Sequence, residues 1–552
     1  MRRCNDSTRR YPPAAAATLM MLTVLLQACG PSGTAVERSL ESGILHVGNG
    51  VEPVDLDPHV TTGISEIHIH MALFEGLVIP EPESFAAQPG VARAWKSDDE
   101  GRLWRFHLRP DARWSNGDPV TAGDFLFAWE RILSPELGAA NASMLFAVAG
   151  AESFHSGELT DFAQTGFRRI DDRTIEIRLE APTPYFLTLV MHPAWFPLHE
   201  ETLRAHEGER RRGSGWTRPG RHVGNGPFQL ASWLVNDFVE VRRNPHYHSP
   251  DEIHLEGIRF YAIEDRSGEE RAFHAGQLHK TYGLPAGSAP RYRADDHPAF
   301  RTDSYLGTEY YLFNTAKPPL DDPRVRRALS LALDRHALAK QVVASGQQPA
   351  YHFTPPGIAG YTPEARITED ADKARGLLAE AGFPDGRGLP DLQILFNTTD
   401  HNRRVAEAIQ EMWRTTLGIR VGLYNQETRV YFDTRSRGDF TIARASWIGD
   451  YPDPNTFLEL WTSWSGNNFS GWQNPDYDDH IRDAASTTGP DRLESFQQAE
   501  RILIEQSPIA PLYFYVSAYL LHPTVQGWRP SPTNWRTYHG IRLEKKAGIL
   551  NN

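Results

Sequence analysis

The chain has 552 residues, of which 57 are Lys or Arg and 70 are Asp or Glu, giving a formal net charge of −13. A body this acidic is repelled by a phosphate backbone, which excludes nucleic acid as an expected partner. At 40% hydrophobic content, with 26 Phe, 19 Tyr and 14 Trp, a disordered chain is also excluded, and the length predicts about three or four structural units with large cores.

Arg2, Arg3, Arg9 and Arg10 precede an apolar run from Ala14 to Leu26, the charged and hydrophobic regions of a secretory signal peptide over 1–28. Removing it leaves 524 residues with 53 basic and 69 acidic side chains, a net charge of −16. In Leu26-Gln27-Ala28-Cys29-Gly30 a leucine lies three positions before a cysteine, with a small residue just ahead of it. This looks like a bacterial lipobox and predicts acylation of Cys29; an ordinary cleavage site beside an incidental cysteine is the alternative. Cys4 falls in the removed segment, so the mature chain has one cysteine and no internal disulfide. Residues 29–43 read as a flexible tether between lipid and body. Beyond the N-terminus no apolar run approaches the roughly 18 residues of a membrane span.

Further along, Trp104, Phe106 and Leu108 alternate as a strand. Thr121 with Asp124 caps a helix that carries Phe125, Ala128, Trp129 and Ile132 on one face. Ile175, Ile177 and Leu179 make another strand. Asp322-Pro323 starts a helix with Val325, Ala328, Leu329, Ala332 and Leu333 inward. Thr368 opens the next, closed by Gly382. A further helix runs from about Arg404 to Leu417, stops at Gly418, and gives way to Ile419, Val421 and Leu423 at strand spacing. Alternating strands and helices predict α/β layers. His68-x-His70 and His246-x-His248 put paired imidazoles on one face of a strand; with no third ligand evident, structural histidines and no metal site are expected. A phosphate loop and a G-x-S-x-G elbow are both missing, and no cofactor is predicted.

Other segments form an ordered series: Asn49-Gly50-Val51-Glu52-Pro53, Leu56-Asp57-Pro58-His59, Leu73-Phe74-Glu75-Gly76-Leu77, Trp114 to Ala122, Asn225-Gly226-Pro227-Phe228, and Arg242 to Tyr247. Phe313-Asn314-Thr315, Asp322 to Leu329, Ala443 to Tyr451 and Pro452-Asp453-Pro454 complete it. On these the chain resembles the large substrate-binding proteins of peptide ABC importers, family 5, most nearly the periplasmic oligopeptide-binding proteins. The resemblance implies an α/β fold: a two-lobed periplasmic-binding-protein clamp of three domains, with mixed sheets flanked by helices and lobes joined by two crossover strands. Domain I would comprise 44–75, 200–301 and 518–552; domain II 76–199; and domain III, the second lobe, 302–517. It further implies a monomeric, non-enzymatic receptor on the periplasmic or cell-envelope side, held to the membrane through Cys29. Such a receptor captures short peptides and hands them to ABC permease subunits in the inner membrane. A murein peptide, a dipeptide or another small solute is the alternative ligand, and an exported hydrolase the alternative from another class.

The same resemblance distributes the site. Peptides of any sequence share a backbone, an ammonium and a carboxylate, so recognition as an added strand suits them. Ser446, Trp447 and Ile448 match one pairing segment and Thr62, Gly63 and Ile64 the facing one, with Gly63 allowing close approach. Asp450 matches the carboxylate that holds the α-ammonium; shaping its own turn is the alternative, and Asp453 is expected to serve that turn. Arg444 and Arg435 match arginines near the carboxylate end, with structural ion pairs as the alternative. A family histidine falls on Asn402, beside His401, and an acidic residue of the facing segment falls on Thr62. Trp447 and Trp413 match aromatics lining the cleft, although Trp413 could equally be core.

Overall fold

The computed structural model describes residues 33–98, 101–285 and 287–545; the expected signal peptide and Cys29 lie outside the described residues. Thr34 opens helix α1 (Ala35–Ser42) through a capping box with Glu37, and Gly43 closes it in the left-handed region. Val36 and Ser39 are buried, and Val36 N–H donates to Gly276 O. The flexible tether expected over 29–43 is therefore corrected from residue 35 onward. Its polar composition concealed a capped helix with one apolar edge docked on the body.

Strand β1 (Ile44–Gly48) and helix α2 (Ile64–Leu73) follow. The chain then builds an antiparallel sheet from β2 (Ala92–Ser97), β3 (Leu103–Leu108), β4 (Phe167–Asp171) and β5 (Thr174–Arg178), in the order β2-β3-β5-β4. Against it packs α3 (Ala122–Leu133), whose capping box joins Thr121 to Asp124 and whose Phe125, Ala128, Trp129 and Ile132 are fully buried. Strands β6 (Phe228–Leu234), β7 (Phe238–Arg243) and β8 (Gly257–Tyr261) return to β1 in the order β1-β8-β7-β6. One continuous core serves these two sheets.

The second lobe is reached by β9 (Phe300–Phe313) and left by β14 (Ile509–Leu520), antiparallel strands of 14 and 12 residues. They pair from Phe300↔Leu520 at one end to Leu312↔Ile509 at the other, with a register shift between Ser304 and Thr308. At the first end Lys280 bridges both Val47, in β1, and Leu521, so the pair starts inside the first lobe. At the other it supplies the second and third strands of a six-stranded sheet. Between them come α4 (Pro323–Leu331), β10 (Gln348–Pro349), α5 (Ala371–Glu380), β11 (Leu392–Asn397), α6 (Asp400–Leu417), β12 (Val421–Gln426), α7 (Thr428–Ser436), β13 (Ile442–Ile448) and α8 (Gly489–Gln506). The strand order is β10-β14-β9-β13-β11-β12, with one hydrophobic core on each face.

Two helix starts differ from the sequence expectation. Asp370, not Thr368, caps α5. Thr399 caps α6, which begins at Asp400, four positions before the expected Arg404, because its polar first turn carries no apolar stripe to mark it. The strand expected for His68 and His70 is also corrected: both lie on α2. Within it, His68 Nδ1 lies 2.9 Å from Asn49 Oδ1 and its Nε2 3.0 Å from Asn534 O. No helix among the described residues is long and apolar enough to cross a membrane.

Histidine burial is unusually heavy here. Burial pushes His59, His68, His70 and His279 down to about 3, and His46, His192, His222 and His352 to about 4. Below their unfolded value of 6.5 the unfolded chain binds protons that the folded chain refuses, so stability falls as pH drops from 6.5 toward 4. Five carboxyls that burial pushes up, those of Asp124, Glu269, Asp450, Glu459 and Glu500, oppose this by gains of their own as pH falls, but the eight histidines outnumber them. Thermal unfolding should therefore show a lower Tm at pH 5 than at pH 7. Both ring nitrogens of His70 are buried without a partner, so His70→Phe should shallow that slope and cost little at pH 7. An unchanged or rising Tm on acidification would refute the account.

Candidate functional site

Strand β13 is paired unequally. On one side β9 covers all of it, from Phe313↔Ile442 to Gly307↔Ile448. On the other, β11 reaches only Ile442 and Ala443. Among the described residues no strand pairs with Arg444–Ile448 along that second edge. Gly449 N–H donates inward to Leu306 O, while Arg444 O turns outward to Tyr431 Oη. By antiparallel alternation, Ser446 and Ile448 therefore aim their backbone N–H and C=O groups at the open edge. Gly307 makes this end compact: a Cβ there would lie 2.5 Å from Tyr515 Cδ2 and 2.6 Å from Ile448 Cδ1.

Two residues beyond the open edge lies Asp450. Its N–H donates to Thr456 Oγ1 at 3.1 Å, but among the described residues nothing donates to its carboxylate. Solvent reaches the residue from a cavity of about 460 Å³. Protein on the other sides displaces enough water to push the carboxyl up to about 6. Glu459 lines the same cavity; burial, opposed by hydrogen bonds from Tyr451 and Asn455 and reinforced by the charge of Asp450, pushes it up to about 7. Glu180 and Tyr185 close the cavity from the first lobe. Tyr185 stacks on Tyr451 with ring centroids 4.9 Å apart and planes 5° from parallel, so the lobes touch here. Among the described residues lining the cavity none is lysine, arginine or histidine. Its chemistry is that of a receiver for a cation.

Trp447 forms another wall of the cavity and packs against the core beneath, with its indole N–H buried and unpartnered. Trp413 is elsewhere. It is fully buried in the core on the opposite face of the sheet, and its indole N–H donates to Leu329 O at 2.8 Å. The expectation that Trp413 lines the cleft is corrected: its position on the apolar stripe of α6 makes it core.

The facing segment is shorter than expected. Gly63, at φ −79° and ψ 147°, is the N-cap of α2, and Ile64 is the first helical residue. Ile64 is therefore corrected out of the extended run, which leaves Thr62 and Gly63, both exposed. Asn402 is buried near the start of α6, where its amide donates to Asn397 O at 3.0 Å and Asn397 Oδ1 at 2.8 Å. Both amide hydrogens are thus used within the chain. His401 beside it contacts Tyr513 Oη through Nε2 at 2.9 Å.

The two arginines differ sharply. Arg444 donates from Nε and Nη2 to the two oxygens of Glu309, each at 2.6 Å, and Glu309 is almost wholly buried. Arg435, on α7, forms no ion pair with a carboxylate among the described residues. Its guanidinium lies over the rings of Tyr431, Phe432 and Phe469 at 5.5, 5.2 and 5.0 Å. Asp453 is held by Arg492 at 2.7 and 2.9 Å and also accepts from Asn455 N–H, so it is structural, as its turn suggested. Sequence reasoning missed Glu459, Glu309 and Tyr185. Glu459 lies nine residues past Asp450 and was within reach of a turn-and-helix reading; the other two depend on contacts distant in sequence.

A model for "Bacterial extracellular solute-binding proteins, family 5 Middle" matches residues 86–469. The chain belongs to this family. The family-5 protein is 37% identical over 507 residues to the periplasmic murein peptide-binding protein MppA of Escherichia coli K12, covering 90% of this chain and 92% of that one. Against the periplasmic oligopeptide-binding protein OppA of Salmonella typhimurium the identity is 34%, over 92% and 94% of the two chains. Among solved structures, the unliganded open form of MppA superposes with a TM-score of 0.80 at 35% identity, over 93% of this chain and 99% of that one. The Haemophilus influenzae OppA complex with RPPGFSPFR gives 0.74 at 34% identity, over 92% and 99%. The fold is accordingly the family's two-lobed α/β clamp.

The contrast between Asp450 and Asp453 is measurable. Arg492→Met should destabilise the second lobe by about 3–5 kcal/mol by leaving a buried carboxylate unpaired. Asp450→Asn should leave the Tm at pH 7 unchanged or raise it, because nothing in the chain pairs with that charge. A large loss of stability in Asp450→Asn would show that the carboxylate is structural.

Proposed function

We propose that this family-5 protein is the substrate-binding lipoprotein of an ABC importer and captures short peptides in its interlobe cleft. The observation that carries the reading is the unpartnered Asp450 carboxylate just past a bare strand edge. The peptide's ammonium goes to Asp450, where a cation relieves an otherwise uncompensated charge. Its backbone pairs with Ser446 and Ile448 on one side and meets Thr62 and Gly63 on the other, while Trp447 walls the first side chain. Arg435 is the cation left free for a carboxylate; Asn402 and Trp413 support the lobe from behind. In support, one relative is named for murein peptide, another for oligopeptides, and a third is solved with RPPGFSPFR bound.

The remaining assignments belong to the same reading. Domain I takes 44–75, 200–301 and 518–552, domain II 76–199 and domain III 302–517, a division that follows the three main sheets. The protein is a monomer anchored through Cys29 on the periplasmic side and delivers its cargo to the permease unchanged, without catalysis. A murein peptide is the second reading, favoured by the 37% identity to MppA and the 0.80 superposition on its open form.

Free and N-acetylated tripeptides separate these claims from their rivals. Acetylation should weaken binding at least about 30-fold by calorimetry, the lower end of the cost of losing one partner of a buried charge pair. Asp450→Asn should abolish that difference, and the peptide should be recovered intact by mass spectrometry. Equal binding of the two forms would remove Asp450 from the site; fragments would point to a hydrolase. Separately, Cys29→Ser should move the full chain from the membrane fraction to the soluble fraction, and a protein already soluble before substitution would contradict the lipid anchor.

A further inference from the structure

Arg444 sits on the open-edged strand, six residues before Asp450, and its side chain shares a face of the sheet with Ser446 and Ile448. Six extended residues span roughly 20 Å, so Arg444 would be the natural reader of a carboxylate at the far end of a short ligand. Glu309 forestalls this. It lies opposite Ser446 on β9, diagonal to Arg444, and takes both inner guanidinium nitrogens in a bidentate pair at 2.6 Å. Tyr515 donates to Glu309 and lies 3.1 Å from Arg444 Nη2, which closes the cluster. Burial alone would favour a neutral arginine; Glu309 more than offsets it and keeps the guanidinium charged. A carboxylate arriving at this depth would meet a cation already neutralised, with the Glu309 charge beside it.

We propose that Glu309 is a specificity-determining residue that withdraws Arg444 from carboxylate recognition, so that the cleft takes peptides whose uncharged backbone, not their terminus, lies at that depth. The inference rests on the peptide-receptor reading above. Its ligands are chains that continue past Arg444 or are capped there, and acidic termini are read, where they are read at all, by Arg435. Nothing in the local sequence Thr308-Glu309-Tyr310 signals this role, because the pair joins strands 135 residues apart.

Alanine peptides of three to six residues, each as free acid and as C-terminal amide, provide the test. The measurement is the acid-to-amide affinity ratio by calorimetry. Between wild-type protein and the double variant Glu309→Gln/Arg444→Met, which removes both charges together, the ratio should stay within about threefold at every length. In Glu309→Gln alone it should rise at least tenfold for one or more lengths. A tenfold fall in the double variant would mean that Arg444 already reads the carboxylate and would overturn the proposal, even if the single variant failed to fold. A folded Glu309→Gln protein with an unchanged ratio would overturn it equally. Both outcomes leave binding of free peptides intact, whereas loss of all peptide binding by the wild-type protein would instead defeat the underlying reading.

Discussion

β13 brings the second lobe's sheet to the mouth of the cavity with one edge sealed by β9 and the other bare from Arg444 to Ile448. Backbone donors and acceptors tolerate such exposure only while water covers them, and they must be paired if the site closes. The reason for the bare edge is local. β11 pairs with β13 only at Ile394 and Leu395; its last residues, Phe396 and Asn397, pair only with β12, and Thr399 then caps α6. A few residues of further β11 pairing would have filled this edge, the position proposed for a ligand backbone.

Charge follows the same division between finished and unfinished. Four arginines of the two lobes are committed to a carboxylate: Arg131 to Asp57, Arg492 to Asp453, Arg444 to Glu309 and Arg536 to Asp303; the buried Arg326 and Arg335 spend their donors chiefly on backbone carbonyls. Pairs of this kind fix geometry more than they add stability, since desolvation consumes much of the attraction. Against that background Asp450 and Arg435 stand out as opposite charges left without such partners. Arg435 is partly compensated by three aromatic rings, a weaker and more adaptable environment than a carboxylate. Asp450 has nothing comparable, so nothing offsets the burial that pushes its carboxyl up.

Local chemistry in the sequence was a sound guide to local structure. The Thr121–Asp124 capping box, the Pro323 helix start and the Gly418 stop all depend on residues within one turn of each other, and each appears where its pattern predicted. Failures came where the deciding contact was remote or the pattern ambiguous. Trp413 carries the same aromatic signal whether it faces a cleft or a core, and only the packing of α6 against Leu329 decides. His68 and His70 match a strand's two-residue spacing, yet the surrounding Ile64, Ile67 and Met71 fit a helix. Arg444 could not be told from a free cation without knowing that β9 sets Glu309 beside it. The open edge of β13 was likewise invisible, because it is defined by where another strand stops.

Closure couples these features. As the lobes approach, water leaves the cavity, and the cost of keeping Asp450 and Glu459 ionised rises further. The contact already made between the lobes at Tyr185, which stacks on Tyr451, lies under the Arg492 guanidinium and accepts from Asn455, involves only groups of the protein itself. It cannot by itself discriminate a loaded cleft from an empty one. A ligand shifts the balance only through the difference in its affinity for the two states. On the proposed reading an ammonium at Asp450 would supply that difference, since it is worth most where water is scarcest, and a backbone laid on Ser446 and Ile448 would add to it. On that reading an empty cleft would have to shut over an unpaired carboxylate and an unpaired strand edge together, and the cost of doing so would favour the open form until a ligand bearing both complements arrived.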